Sequence, residues 1–330
     1  MISGLAIFFV ALCTVLWLFS RLAALLLERR FAPIGSLLDF PFGRVHVVDR
    51  PATRPGAPCV VLVHGAAGNL RDLLCPLSVQ LAGRFRIIAI DRPGHGFSTR
   101  RDPAWSDPRR QAEALDAVLT RLGIDRAIIV GQSWGGAFAA AFALRYPKYI
   151  QGLVFVSPAT HPWPGGINLH IRVGALPVVG RIFAELTAMP IGLALIPRAL
   201  RNVFGPNGVP PDYRAQIGAA LVLRPSSFIA NCRDIAGLYG HLTAMAAHYH
   251  QIDAPTEVVT GDEDAIVAPA IHAYGLARDI PGARLTILPG VGHMPHWSAP
   301  EAVVEAIERV VIRSGREATA GEATRPVAAE

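Results

Sequence analysis

The hydrophobic pattern of the chain alternates between short β-rich runs and longer stretches with helical spacing, such as residues 108–122. The β-rich runs are almost continuous in Val, Ile and Leu, which is typical of strands buried on both faces of a parallel sheet. Strands separated by helices predict a doubly wound α/β domain. The seven predicted strands are RVHVVD from residue 44, PCVVLVHG from 58, FRIIAID from 85, AIIVGQ from 127, GLVFVS from 152, TEVVTG from 256 and RLTILPG from 284.

One interval interrupts this alternation. Residues 161–250 contain no clean strand and are rich in Pro, Gly, Leu and Ala, with helical pieces such as VVGRIFAEL. We expect them to form a helical cap inserted into a core of residues 31–160 and 251–313. Residues 314–330 are small and polar, and this composition predicts a disordered tail.

Residues 1–30 predict a membrane anchor helix. The run 2–19 carries no charge and reaches the roughly 18 residues of a membrane-spanning candidate. A cleaved signal peptide begins with positive charge and ends at small residues, whereas here the positive charge begins only at Arg21. By the positive-inside rule, we expect a single-pass membrane protein with its bulk on the cytoplasmic side. The alternatives are a buried helix of the folded domain and an uncleaved signal sequence.

Composition and charge limit the possible partners. The chain has 330 residues, of which 52% are hydrophobic and 17% charged, and this length suits one large α/β domain with an insertion or two small domains. Its formal net charge is +6, but the basic residues are mostly scattered arginines and no nucleic-acid motif occurs. We therefore expect no nucleic-acid partner and take the surplus as a sign of anionic lipid nearby. The four cysteines lack framework spacing and a CxxC pair, so free thiols are expected.

A serine between glycines carries the first candidate chemistry. In GQSWGG, Ser133 lies between Gly131 and Gly135, after the strand AIIV and before the helical run GAFAAAFALRY. A G-x-S-x-G motif between a strand and a helix is typical of a nucleophile elbow, which exposes the serine at the carboxyl ends of the strands. The alternative is a tight turn with no chemical role. A serine hydroxyl needs a base, and the base needs an orienting acid.

Candidate bases lie in the loops after the strands. His293 follows the last predicted strand in the loop Gly-Val-Gly-His, and His296 is its rival. His64, His95 and His161 also follow strands, and each, taken singly, is more simply a hydrogen-bonded loop residue.

Candidate acids follow the strand TEVVTG, where Asp262, Glu263 and Asp264 lie together. Such clusters are usually turns or helix caps. This cluster lies between the serine and the histidines in the chain, and Ser…Asp…His is the order expected of an α/β-hydrolase.

Four motifs together resemble the α/β-hydrolase superfamily, in its branch of capped serine hydrolases. VLVHGAAGN is similar to the strand and His-Gly oxyanion loop, DRPGHGFS to the D-x-P-G-x-G-x-S signature, and GQSWGG to the elbow. GDEDAIV and GVGHMPHWSAPE are similar to the acid and histidine loops. The resemblance covers residues 44–313 and implies a mostly parallel α/β-hydrolase sheet with an inserted helical cap.

The resemblance also assigns roles to single residues. It implies Ser133 as nucleophile, and its G-x-x-D and G-H-x-P patterns select Asp264 as the acid and His293 as the base. The oxyanion hole would consist of the backbone N–H groups of Ala66 and Trp134. The supporting loop residues are His64, Gly65, Gly131 and Gly135.

Departures from the family pattern narrow the range of expected activities. A serine at the elbow argues against the dehalogenase and epoxide-hydrolase branches, which have aspartate there. The sequence HGAA from His64 is not the His-Gly-Gly-Gly loop of many lipases, and Ser298 stands where relatives often carry an acidic residue.

The function expected from the sequence is serine-hydrolase cleavage of an acyl compound, foremost a carboxylic ester with an apolar acyl group, with no metal or organic cofactor. The alternatives are hydrolysis of a carbon–carbon bond and cofactor-free haloperoxidase activity on the same scaffold. A further alternative is a non-catalytic, membrane-tethered binding protein.

Overall fold

The computed structural model of the protein describes residues 2–323 and contains one eight-stranded sheet, in the order β1-β2-β4-β3-β5-β6-β7-β8. The strands are β1 Ser36–Phe40, β2 Gly43–Arg50, β3 Cys59–Val63, β4 Arg86–Ile90, β5 Ala127–Gln132, β6 Ile150–Val156, β7 Thr256–Gly261 and β8 Arg284–Leu288. The α-helices are α1 Ile2–Arg30, α2 Arg71–Leu81, α3 Pro108–Arg121, α4 Trp134–Arg145, α5 Leu169–Ala175, α6 Val178–Phe183, α7 Met189–Phe204, α8 Tyr213–Ile217, α9 Pro225–Ala246, α10 Ala273–Asp279, α11 Pro295–Ser298 and α12 Pro300–Ala323.

The sheet is parallel from β4 to β8 and antiparallel at one edge, where β2 pairs with β1 and β4. Strand β5 lies between β3 and β6, and all six of its residues are buried. Two apolar layers cover the two faces of the sheet, and helices α3 and α4 contribute to one of them while α2 and α12 contribute to the other. The prediction of a doubly wound, mostly parallel α/β sheet is therefore confirmed.

Strand β1 is the one strand in the described residues that the hydrophobic pattern misses. Its sequence SLLDF pairs antiparallel with β2 at the edge of the sheet, with Ser36 opposite Val47. Three of its five residues are exposed. An edge strand has one neighbour and need not bury both faces, so its apolar signal is short and weak.

The interval 161–250 folds into helices α5 to α9 and contains no strand. A π-helical turn, Ala184–Ala188, joins α6 to α7 into one continuous helical run. This helical insertion lies between β6 and β7 in the chain, so the loops at the carboxyl ends of the parallel strands meet the cap.

The two ends of the chain are helical. Helix α1 is 29 residues long, and most of its apolar side chains are exposed. By length and composition alone, two helical runs of the described chain could cross a membrane, Gly4–Arg30 and Val178–Phe204. In an 18-residue window of each, 6% and 28% of the residues are buried. Helix α12 reaches Ala323, so residues 314–323, assigned above to a disordered tail, are helical. Their Ala, Glu and Arg content favours a helix, and residues 324–330 lie outside the described part.

Candidate active site

Ser133 lies on a strained backbone between β5 and α4. Its φ of 52° and ψ of −119° belong to a region that residues other than glycine rarely adopt. The Ser133 N–H donates to the Val156 carbonyl at 3.0 Å, and the Ser133 carbonyl accepts from Gly136 at 2.8 Å and Ala159 at 2.9 Å. These bonds hold the turn against its strain.

The glycines of the elbow allow direct backbone contact. A β-carbon on Gly131 would collide with the carbonyl oxygen of Gly135, and one on Gly135 would collide with that of Val63. The first turn of α4 therefore packs directly on β3, which explains the small residues around Ser133.

Asp264 and His293 form a buried hydrogen-bonded pair. Asp264 Oδ2 lies 2.8 Å from His293 Nδ1, and its Oδ1 accepts from the backbone N–H groups of Ile266 and Val267, both at 2.9 Å. The side chains come from the loops after β7 and β8, which are parallel neighbours. This arrangement places a proton on His293 Nδ1 and leaves Nε2 as a possible base.

No hydrogen bond joins Ser133 Oγ to His293 among the side chains described, residues 4–315. The neighbour of His293 Nε2 is instead the side-chain nitrogen of Gln132, at 3.4 Å. Gln132 is 3% exposed, and a β-carbon on Gly65 would collide with its side-chain oxygen. The sequence analysis assigns no role to Gln132, although it is the variable residue of the elbow motif. Apo structures often show long or misaligned catalytic hydrogen bonds that tighten with substrate.

The rival candidates lie elsewhere. His296 is fully buried with its Nε2 3.6 Å from Asp72 Oδ1, so it faces α2 and not Asp264. Of the three acids after β7, Asp262 and Glu263 are exposed, and Asp262 accepts from the Gly290 N–H at 2.7 Å. His161 contacts Asp279, His95 contacts Asp234, and both histidines lie outside the Asp264–His293 pair.

The loop after β3 presents the expected oxyanion donors. No hydrogen bond within the described residues engages the Ala66 N–H, and the Trp134 N–H belongs to the first turn of α4, where helical N–H groups lack partners. Ala67 has a φ of 54°, and its N–H donates to Asn231 Oδ1 of α9 at 2.7 Å. A cap side chain therefore fixes this loop beside Ser133.

Arg92 lies beneath the same loop and is fully buried. Its guanidinium donates to the carbonyls of His64 and Gly65, each at 3.0 Å, and stacks on the Trp134 ring with 4.0 Å to the centroid. The Arg92 N–H donates to His64 Nε2 at 3.0 Å. Burial, helped by Arg92, lowers the pKa of His64 to about 3, so this histidine is neutral and serves as a structural support.

The positive charge of Arg92 is balanced by a carboxylate of the cap. Asp234 of α9 lies 2.6 Å from Arg92 and 2.5 Å from Arg100, and its Oδ2 lies 2.9 Å from His95 Nε2. Burial opposes the charge on Asp234, but Arg100 and Arg92 outweigh it and hold the pKa of Asp234 below its usual range. Burial lowers the pKa of His95 to about 4. Arg92 and Arg100 thus both pair with Asp234 beside the Ala66 loop. No local sequence motif indicates this cluster, because Asp234 lies more than 100 residues after the two arginines in the chain.

Known proteins with similar sequences and structures include hydrolases. An uncharacterized protein of Mycobacterium tuberculosis is 27% identical over 296 residues, which are 86% of this chain and 84% of that protein. A 2-hydroxy-6-oxo-6-phenylhexa-2,4-dienoate hydrolase of Burkholderia cepacia is 27% identical over 256 residues, 74% of this chain and 84% of that enzyme. The structure of a thermophilic esterase from Thermogutta terrifontis superposes with a TM-score of 0.66 at 22% identity, covering 85% of this chain and 99% of the esterase.

The family model for the alpha/beta hydrolase fold matches residues 58–300, from the start of β3 to the histidine loop and beyond. This match covers more than half of the chain and includes the elbow and the loops that carry Ala66, Asp264 and His293. The protein belongs to the alpha/beta hydrolase family.

Proposed function

We propose that the protein is a serine hydrolase that cleaves an acyl compound, foremost a carboxylic ester with an apolar acyl group. The observation that carries this proposal is the 2.8 Å contact of His293 with Asp264, in a loop adjacent to the strained elbow of Ser133. In this proposal Ser133, His293 and Asp264 are the nucleophile, the base and the orienting acid.

The reaction proceeds in two halves. Ser133 Oγ attacks the carbonyl carbon while His293 Nε2 takes its proton, and His293 then gives this proton to the leaving alcohol. Water attacks the acyl-enzyme ester with His293 again as base, which releases the acid and restores Ser133. Because Gln132 occupies the neighbourhood of Nε2, its amide must give way to the Ser133 hydroxyl when substrate binds.

The oxyanion of each half-reaction is held by the N–H groups of Ala66 and Trp134. Loss of one such donor typically reduces the rate by about 10²–10³-fold. The buried guanidinium of Arg92 lies behind this loop, and its positive charge favours the developing negative charge.

Access to the site requires movement of the cap. Ser133 is only 8% exposed and His293 only 3% exposed. Helices α5 to α8 carry many apolar residues, which supports an apolar substrate. A small displacement of these helices would open a path to Ser133.

Hydrolysis of a carbon–carbon bond is the second candidate. It is favoured by the relatives from Burkholderia cepacia and Cupriavidus pinatubonensis, whose names specify hydrolases of 2-hydroxy-6-oxo-dienoates. The same three residues would serve this reaction, so only substrates separate the two candidates.

The proposed location is a membrane, with α1 as a single-pass anchor and the hydrolase domain on the cytoplasmic side. The exposed apolar side chains of α1 and the arginines Arg21, Arg29 and Arg30 at its C-terminal part support this placement.

A fluorophosphonate probe tests the nucleophile directly. We expect the parent protein in membranes to be labelled, and Ser133→Ala and His293→Ala to lose labelling, because the probe reacts only with an activated serine. Ser226→Ala, at an exposed cap position, and His250→Gln, also exposed, are the matched controls that keep it.

A folded parent that remains unlabelled, with the cap loosened by mild detergent, would contradict the serine mechanism. With labelling established, p-nitrophenyl esters of increasing acyl length and a 2-hydroxy-6-oxo-dienoate compare the two reactions. Turnover of the dienoate alone would overturn the ester proposal.

A further inference from the structure

The cap carries a group of exposed apolar side chains at the start of the long helical run α6–α7. Each is at least 47% exposed, although aliphatic side chains of this size are usually buried. We name them the cap patch: Leu176, Val178, Val179 and Ile182.

The cap patch lies on the same side of the molecule as the apolar half of α1. Arg21 of α1 donates to Glu185 at 2.5 Å, and the residues after each, such as Ala24 and Met189, belong to one apolar cluster. The two helices therefore run past this contact in the same direction. Residues before Glu185, which include the cap patch, lie on the side of residues 4–20.

A cavity of about 830 Å³ opens at the same border, between α1, α6 and the start of α9. Five arginines line it against two glutamates, and the glutamates are engaged by Arg21 and Arg224. Among the residues described, the guanidinium groups of Arg181 and Arg233 have no carboxylate or hydrogen-bond partner. The cavity therefore has an unbalanced positive charge at the level where α1 changes from apolar to basic.

We infer that the cap patch inserts into the lipid leaflet beside α1 and that the arginine-lined cavity receives the phosphate group of an anionic phospholipid. This inference rests on the proposed membrane location of α1. It adds a second membrane contact, formed by the cap, and a headgroup site between the anchor and the cap.

Two observations favour a lipid bilayer as the partner of the cap patch and the cavity. The cap patch and the exposed apolar side chains of residues 4–20 lie on the same side of the Arg21–Glu185 contact, so one leaflet can cover both. Arginine above an apolar face is the arrangement of helices that lie in a membrane interface, and its positive charge complements anionic headgroups. In a two-fold dimer through this face, a second copy of the chain would place the same arginines opposite the cavity, and the like charges would repel each other.

Depth measurements in nanodiscs test the inference on the full chain. In a background with Cys13→Ala and Cys75→Ala, Val178→Cys and Val79→Cys are labelled with a polarity-sensitive fluorophore. Val79 is the matched control, an 82% exposed valine on α2. We expect the apolar leaflet to shift the emission of the Val178→Cys probe to the blue and spin-labelled lipid to quench it. The Val79→Cys probe should show neither change.

A third variant keeps Cys13, carries Cys75→Ala and has the fluorophore on Cys13, so that its quenching reports on the anchor. Quenching of the Cys13 probe without quenching at position 178 would overturn the cap inference and leave the anchor standing. If spin-labelled lipid does not quench the Cys13 probe, the anchor is rejected, and the inference with it.

Lipid composition tests the headgroup site. Replacing part of the phosphatidylcholine by phosphatidylglycerol should increase quenching at position 178 at least twofold, and Arg181→Gln with Arg233→Gln should remove the increase. Equal quenching in both lipids would overturn the headgroup site. Suppression of the increase by millimolar inorganic phosphate would assign the cavity to a soluble anion and also overturn the lipid assignment.

Discussion

At the scale of single residues, the buried pair of Arg92 and Asp234 joins the proposed oxyanion loop to the cap. Both side chains are fully buried, and the guanidinium holds the carbonyls of His64 and Gly65. Arg92 is therefore a positioning residue, because it acts on the Ala66 N–H through the backbone that carries it.

The first prediction concerns this pair. Arg92→Ala should lower the free energy of unfolding by about 3–5 kcal/mol, because it leaves a charge on Asp234 without one of its partners. Arg145→Ala on α4, which removes a half-exposed ion pair with Glu113 of α3, should cost no more than about 1 kcal/mol. Urea unfolding followed by tryptophan fluorescence compares them, and equal losses would contradict the role of burial.

Single residues of the candidate site were predictable where a local motif marks them. Ser133, Asp264 and His293 each follow a strand in a segment with a family motif that contains glycine, and the structure brings Asp264 and His293 into contact. Gln132 and Asp234 were not predictable, because their partners are far away in the chain and ordinary polar residues carry no spacing signal.

At the scale of elements, the elbow depends on the close approach of α4 to β3. The absence of a side chain at Gly135 allows this approach, since a β-carbon would meet the Val63 carbonyl, which cannot move without breaking the sheet.

The second prediction uses two glycines in helices. Gly135→Ala should destabilise the protein by about 1–3 kcal/mol through overpacking and should abolish fluorophosphonate labelling. Gly240→Ala, at an exposed position of α9 with nothing near the new carbon, should stabilise by about 1 kcal/mol through helix propensity. Thermal unfolding measures both, and a tolerated Gly135→Ala would show that the elbow can shift.

The parallel strands were predictable and the sheet edge was not. Strands β3 to β7 are buried on both faces, so their apolar runs are continuous and bounded by turns. Strand β1 is half exposed, and the end of α12 has a composition that suits a helix as well as a tail.

At the scale of the whole molecule, buried neutral histidines make stability depend on pH. Burial lowers the pKa of His64 to about 3, and those of His95 and His272 to about 4, against 6.5 in the unfolded chain. Below pH 6.5 the unfolded chain therefore binds protons that the folded protein does not, and the free energy of unfolding falls as the pH falls.

The third prediction is loss of stability between pH 7 and pH 4. Each of the three histidines contributes up to ~1.4 kcal/mol per pH unit in this window. Asp72, Asp91 and Asp234, whose pKa values are lowered, lose their contribution only below their usual value of 3.8.

Urea midpoints at pH 7.5, 6 and 5 measure this decline. His272→Gln should reduce its slope, because the amide oxygen can still accept from Thr160 and His161 and takes up no proton. The exposed His250→Gln should leave the slope as it is. A midpoint that stays constant from pH 7.5 to pH 5 would show that these histidines take up protons in the folded protein as readily as in the unfolded chain.

For protein engineering, the cap consists of two parts, because only one of them is hydrogen-bonded to the loops around the site. Asn231 and Asp234 tie α9 to the Ala67 backbone and to Arg92, so α9 belongs mechanically to the core. Within the described residues, helices α5 to α7 make no such hydrogen bond, and they form the exchangeable module. The segment after them is tied to the site as well, because Asn69 donates to the Ile217 carbonyl of α8 and the Gly292 N–H donates to Asn207. A chimera that takes a relative's cap should therefore have its second junction directly after α7, near Gly205, so that substrate preference is transplanted without disturbing the site.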